Sequence, residues 1–177
     1  MQNFQEFTHQ NQLKTMKDDA VALLTQFIGI NTDQMKYLHN TASEQVANCI
    51  LKGGFNFEKY LENTTDPVSG LDIVEIRYFM NTRRCYGDYT IVIAIGRNLV
   101  NKYSEMLLET DCTFVEALTT EEPQLSADEE YIYTLHPQFV KGYINQADQV
   151  IVKNPGFAPY KDLAIFEDNV RMLQKQS

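Results

Sequence analysis

Apolar residues recur at helical spacing from Leu13 to Ile28. Leu13, Met16, Ala20, Leu23, Leu24, Phe27 and Ile28 form the stripe, with Lys14, Lys17, Asp18 and Asp19 at other positions. Gly29 supplies a stop. A second stripe, Met35, Leu38, Ala42, Val46, Cys49 and Ile50, predicts a helix that starts near Thr32 or Asp33 and ends at Gly53 and Gly54. Two helices joined by a short turn give an N-terminal α-hairpin. Asn56 could cap a further helical turn through Phe57, Tyr60 and Leu61.

The pattern then changes period. Asn63 to Gly70 is a loop by its Pro, Gly and Asp content. Leu71 to Met80 alternates, with Val74, Ile76, Tyr78 and Met80 on one face and Glu75 and Arg77 on the other. Tyr89 to Ile95 is continuous and β-branched, which predicts a central strand apolar on both faces. Together they predict a hairpin whose tip is Asn81 to Asp88. Gly96-Arg97-Asn98 breaks the strand, and Leu99, Tyr103, Met106 and Leu107 predict a helix to about Glu109. Thr113 to Leu118 reads as a third strand and Thr119 to Leu125, with Pro123, as a polar loop.

Ser126-Ala-Asp-Glu129 fits a capping box, in which the serine hydroxyl and the third-position carboxylate each satisfy a free backbone N–H. Helical spacing follows through Ile132, Leu135, Phe139, Val140, Tyr143, Ile144 and Ala147. Pro137 forces a kink or a fresh start with Pro137 at the first helical position. Tyr131 to Leu135 could instead be a strand. Val150 to Val152 suggests a short strand, Asn154 to Pro159 a turn-rich connector, and Leu163, Phe166, Val170 and Leu173 a final amphipathic helix. The expectation is an α+β fold: the α-hairpin, a mainly antiparallel sheet of three or four strands built around 71–118, and C-terminal helices packed on it.

Length and composition fit one globular domain over 1–177, with residues 1–12 expected to fray. Cys49, Cys85 and Cys112 are odd in number and far apart, which argues against a disulfide framework and for a reducing compartment. Cys49 lies on an apolar stripe and is expected in the core. No signal-peptide pattern opens the chain and no apolar run is long enough to span a bilayer, so a cytoplasmic location is expected.

Charge changes the picture more than composition does. From Tyr103 to Val140 there is no Lys or Arg, while nine acids fall there: Glu105, Glu109, Asp111, Glu116, Glu121, Glu122, Asp128, Glu129 and Glu130. The whole chain carries a formal net charge of -9, and outside this window acids and bases balance. Such a run can be a set of solvated faces. It can also be a negative patch that docks a basic partner, with its largest effect on association rate and specificity. The acids are sparse beside the charge density of duplex DNA, which weakens a DNA-mimic reading. The acidity also disfavours binding to nucleic acid or anionic membrane. Asp128, Glu129 and Glu130 have no calcium-loop spacing, and no metal site is expected.

Four of the five arginines, Arg77, Arg83, Arg84 and Arg97, lie between 77 and 97. Arg83 and Arg84 fall in the predicted hairpin tip and Arg97 at a helix start, where anions bind well. An anion pocket built from bidentate guanidinium contacts is one reading. Pairing of these arginines with acids of the window is the other. No glycine-rich phosphate motif occurs, so no nucleotide cofactor is expected. Cys85 or Cys112 with His136 is a formal Cys/His pair without any surrounding signature, and no catalytic residue is assigned. Tyr131, Tyr133, Phe139 and Tyr143 lie beside the acids and read first as core, or as arginine-binding anchors where exposed.

The leading expectation is a small protein-binding module, in its most concrete form an inhibitor or immunity-type protein. Glu121, Glu122, Asp128, Glu129 and Glu130 would dock a basic partner. The alternative is an enzyme or small-ligand binder in which Arg83, Arg84 or Arg97 holds an anionic ligand. A homo-oligomer joining the arginine-rich hairpin to the acidic window is a third arrangement.

Overall fold

A computed structural model describes residues 21–29, 32–58, 65–68 and 84–176. Helix α1 is described over residues 21–28. Strand β1 (Gln34–Thr41), helix α2 (Glu44–Gly53), strand β2 (Phe55–Glu58) and strand β3 (Asp66–Val68) follow. A 3-10 turn (Arg84–Tyr86) leads into β4 (Tyr89–Gly96), and α3 (Arg97–Met106) and the short α4 (Phe114–Ala117) come next. The chain then runs through β5 (Gln124–Leu125), β6 (Tyr131–Leu135), a 3-10 turn (Pro137–Phe139), β7 (Val140–Asn145), β8 (Val150–Lys153) and α5 (Ala164–Gln176). Mixed helices and antiparallel sheets make the fold α+β, with a helix at the C-terminal end as the sequence predicts.

Among the described residues the strands form two sheets, one of five strands in the order β3-β1-β4-β7-β8 and one of three in the order β2-β6-β5. Every pairing is antiparallel. The five-stranded sheet therefore draws on 34–41 and 140–153 as well as on β4. The predicted strand at 71–80 lies outside the described residues.

β4 occupies the centre of this sheet because both its faces are covered. Ile91, Ile93 and Ile95 enter the main core with Phe139, Tyr143 and Phe166. Val92 turns the other way and packs with Leu38 and Ile144 under Val21, Leu24, Phe27 and Ile28 of α1. Two covered faces leave no position where a polar residue is needed, hence the unbroken apolar run.

The α-hairpin is not formed. Its second half is β1, which pairs with β4 along all its length, from Gln34 opposite Gly96 to Thr41 opposite Tyr89. Lys36, Leu38 and Asn40 share one face of β1, and Lys36 and Asn40 are buried there with hydrogen bonds to the carbonyls of Gly29 and Gly87. Polar residues on a buried face hide the period-two signal, and the apolar residues left over mimic a helical stripe. α2 begins only at Ser43, whose hydroxyl accepts from the Val46 N–H. It ends, as predicted, at the double glycine. Gly54 has φ of 100°, and a Cβ there would lie 2.1 Å from the Leu135 carbonyl oxygen, so only glycine fits.

Four other expectations are corrected. Thr113 to Leu118 is not a strand but holds α4, whose Glu116 carboxylate accepts from the Thr113 N–H. The capping box predicted at Ser126 to Glu129 is instead the turn of the β5–β6 hairpin. The Ser126 N–H donates to the Glu130 carbonyl, and Glu129 takes a positive φ of 65°. The helical reading of 131–147 gives way to two strands, β6 and β7. Pro137 does open a helical turn, with His136 Nδ1 accepting from the Gln138 N–H. Asn56 to Leu61 begins as strand β2, paired with β6 in the register Phe55 with Leu135 to Glu58 with Ile132.

α5 closes the main core with Phe166, Val170 and Leu173. It and the segment before it are tied to α3 by polar contacts: Lys102 bridges Asp162 and Glu167, and the buried Tyr103 hydroxyl donates to Asp162. Burial and this carboxylate push the Tyr103 hydroxyl well above its ordinary pKa. Among the described residues no helix is long and apolar enough to cross a membrane.

Candidate functional site: an acidic groove on the small sheet

The three-stranded sheet turns Phe55, Phe57, Tyr133 and Leu135 inward. Strand alternation then places Asn56, Glu58, Ile132, Thr134 and Gln124 on its outer face. α2 runs beside that face. Its core side carries Ala47 and Ile50, which leaves Val46 and Cys49 out of the core. Cys49 is exposed, against the expectation from its stripe, because the buried side of α2 is rotated toward Ala47.

Between α2 and the sheet lies a half-open groove of about 780 Å³. Val46, Cys49 and Ile50 form one wall and Phe55, Ile132 and Leu125 line the rest of its apolar surface. Val46 and Leu125 are 45% and 60% exposed, so these apolar side chains lack cover from the described fold. No Lys or Arg is among the described lining residues, and Glu121 is. Tyr131, at the outer end of the same hairpin, is also largely exposed.

The structure separates the window acids into groups. Glu116 is buried, bonded to the Thr113 N–H and facing the Tyr133 hydroxyl. That hydroxyl is pushed well up by burial first and by the Glu116 carboxylate second. Glu116 is therefore a structural group. Glu105, Glu109 and Asp111 are exposed on and just after α3. Glu121 and Glu122 precede β5, and Asp128, Glu129 and Glu130 follow it in the hairpin turn, all five exposed. The two-residue strand β5 thus has an acidic cluster at each end.

Sequence reasoning missed Glu58. β2–β6 pairing brings it beside Glu130 and Asp128, where a hydrogen bond to Glu130, then the repulsion of Glu130, raise its pKa. The available signal was the Phe55-Asn-Phe-Glu58 alternation, too short to stand out from a helical turn. Among the described residues no group of three or more His, Cys, Asp and Glu is placed to hold a metal ion.

Of the arginine set, Arg83 lies outside the described residues and Arg84 is in the 3-10 turn before β4. Arg97 uses its Nε to hold the Thr32 carbonyl and its backbone N–H to hold that of Asp33. The start of α3 is thereby fastened to the loop before β1. Comparison with protein-family models, with curated proteins and with solved structures found no match.

Proposed function

We propose that this chain is a protein-binding module whose groove between α2 and the β5–β6 hairpin takes a basic, amphipathic segment of a partner. The observation that carries the reading is the combination in one groove. Exposed apolar side chains (Val46 and Leu125) line it, acids flank it, and its described lining holds no cation. Apolar side chains of the partner would seat against Val46, Leu125 and Ile132. Its lysines or arginines would meet Glu121 on one side and Glu58, Asp128 and Glu130 on the other. Burial of apolar area would supply most of the affinity, and the carboxylates rate and orientation. In a cytoplasmic setting, an inhibitor or immunity-type protein acting on a basic target is the form this takes.

The test is affinity capture from the native host with the wild-type chain and with a variant carrying Gln or Asn at Glu121, Glu122, Asp128, Glu129 and Glu130. The proposal expects basic proteins captured by the wild type and lost from the variant. Capture of the same partners by both would remove it.

A further inference from the structure

A second concavity, bordered by lysines, lies beside α1. Its volume is about 450 Å³, within the range of small-molecule sites. Leu23 and Phe27 of α1, Ile151 of β8 and Phe157 of the following connector make its apolar walls. Lys141 and Lys153 border it, and no Asp or Glu is among its described lining residues.

The backbone is built to bring these lysines together. Ile93 pairs with Val140 and Val92 with Gly142, which leaves Lys141 as the extra residue of a β-bulge. Bulges re-aim a side chain, and this one sends Lys141 over the Phe27 ring, with Nζ 5.3 Å from its centre. Gly142 makes the bulge possible. Its φ is 150°, and a Cβ there would lie 2.2 Å from the Val152 carbonyl oxygen. Register then sets Lys153 directly across from Gly142.

Capping of α1 does not account for the lysines. Lys36 does that work, with Nζ 2.7 Å from the Gly29 carbonyl oxygen. Lys141 reaches the Ile28 carbonyl only at 3.5 Å, the outer limit of a hydrogen bond, so its ammonium keeps donors for another acceptor. No ion pair joins Lys153 to any described residue, and it also borders the adjoining cleft that holds Lys52 and His136. Burial and then the neighbouring Lys153 hold Lys141 below the ordinary lysine pKa, and burial and then Lys141 do the same to Lys36. Asp33 acts in the opposite sense on Lys36, but no described acid lines the cavity beside Lys141 and Lys153, and a bound anion would stabilise that pair.

We infer that this cavity binds a small amphiphilic anion. Its carboxylate or phosphate head would sit between Lys141 and Lys153 and its alkyl or aryl body against Phe27, Leu23, Ile151 and Phe157. The test is titration calorimetry on the full chain with octanoate, octyl phosphate, octanol and inorganic phosphate. One octyl anion should bind saturably at one per chain, and whichever binds tighter identifies the head group. Octanol and inorganic phosphate should each bind about tenfold more weakly or not at all. Lys153→Gln, an exposed change that leaves folding intact, should weaken the octyl anion about tenfold, as expected for one charge-assisted hydrogen bond. Lys141→Gln should do likewise, and Glu121→Gln should change nothing, which separates this site from the acidic groove. Absence of saturable binding by both octyl anions, or equal affinity in wild type and both lysine variants, would overturn the inference.

Discussion

The acidic groove and the lysine cavity are built on different principles. In the groove the charges stay in water: Glu121, Asp128, Glu129 and Glu130 are all exposed, on a loop and a hairpin turn. Val46 and Leu125 on its wall are exposed too, so little of the fold depends on these two. In the cavity one of the two charges is drawn inward, with Lys141 half-buried over Phe27 while Lys153 stays exposed. Its wall residue Phe27 is at the same time part of the core that covers the back of β4. Exposed charge costs little to keep and serves association. Buried charge costs desolvation and is kept only with partners.

This contrast can be broken by mutation, and the largest effect is expected at Phe27. Phe27→Ala should destabilise the fold by about 3–5 kcal/mol, measured by urea unfolding, because it leaves a cavity beneath Val92 and Leu38. Lys36→Met keeps the apolar stem but leaves the Gly29 carbonyl without its donor. A loss of about 1–3 kcal/mol is expected in the same measurement. The double change Val46→Ser and Leu125→Ser, in the groove, should alter stability by no more than about 0.5 kcal/mol per site. It should nonetheless abolish capture of the basic partner. A large stability loss there would show that the groove is core and not a docking surface.

The smallest effect is electrostatic. The Glu58 pKa is raised by its hydrogen bond and repulsion with Glu130, so the folded chain holds a proton at a pH where the unfolded chain releases it. Stability therefore falls as pH rises through the upper carboxylate range. Glu130→Gln should raise the melting temperature slightly at neutral pH, and the gain should vanish below the ordinary glutamate pKa. A gain that persists in acid would mean the pair does not repel.

How much of this was legible beforehand follows from the same contrast. α3 and α5 were readable because their burial follows one clear period, and β4 because burial on both faces leaves an unbroken apolar run. β1 was not, since Lys36 and Asn40 are buried on partners that sequence does not display. β6 and β7 imitated a helix because the residues of two strands, broken at Pro137, happened to fall at helical spacing. The acidic run was visible as a count, but the fold removed Glu116 to the interior, set Glu105, Glu109 and Asp111 on and after α3, and added Glu58 from a distant strand. The lysine cavity was invisible: Phe27, Lys141 and Lys153 come from a helix and two separate strands, and only the glycine after Lys141 hinted at a bulge.

The central claim is that the acidic groove, and not the lysine cavity, receives a basic segment. It is tested most directly by following backbone amide NMR shifts of the full chain during titration with a Leu- and Lys-containing amphipathic peptide. Shifts concentrated at Val46, Cys49, Leu125 and Ile132, with Lys141 and Lys153 unmoved, are the predicted result. Saturable shifts centred elsewhere, or none at any peptide concentration, would contradict it.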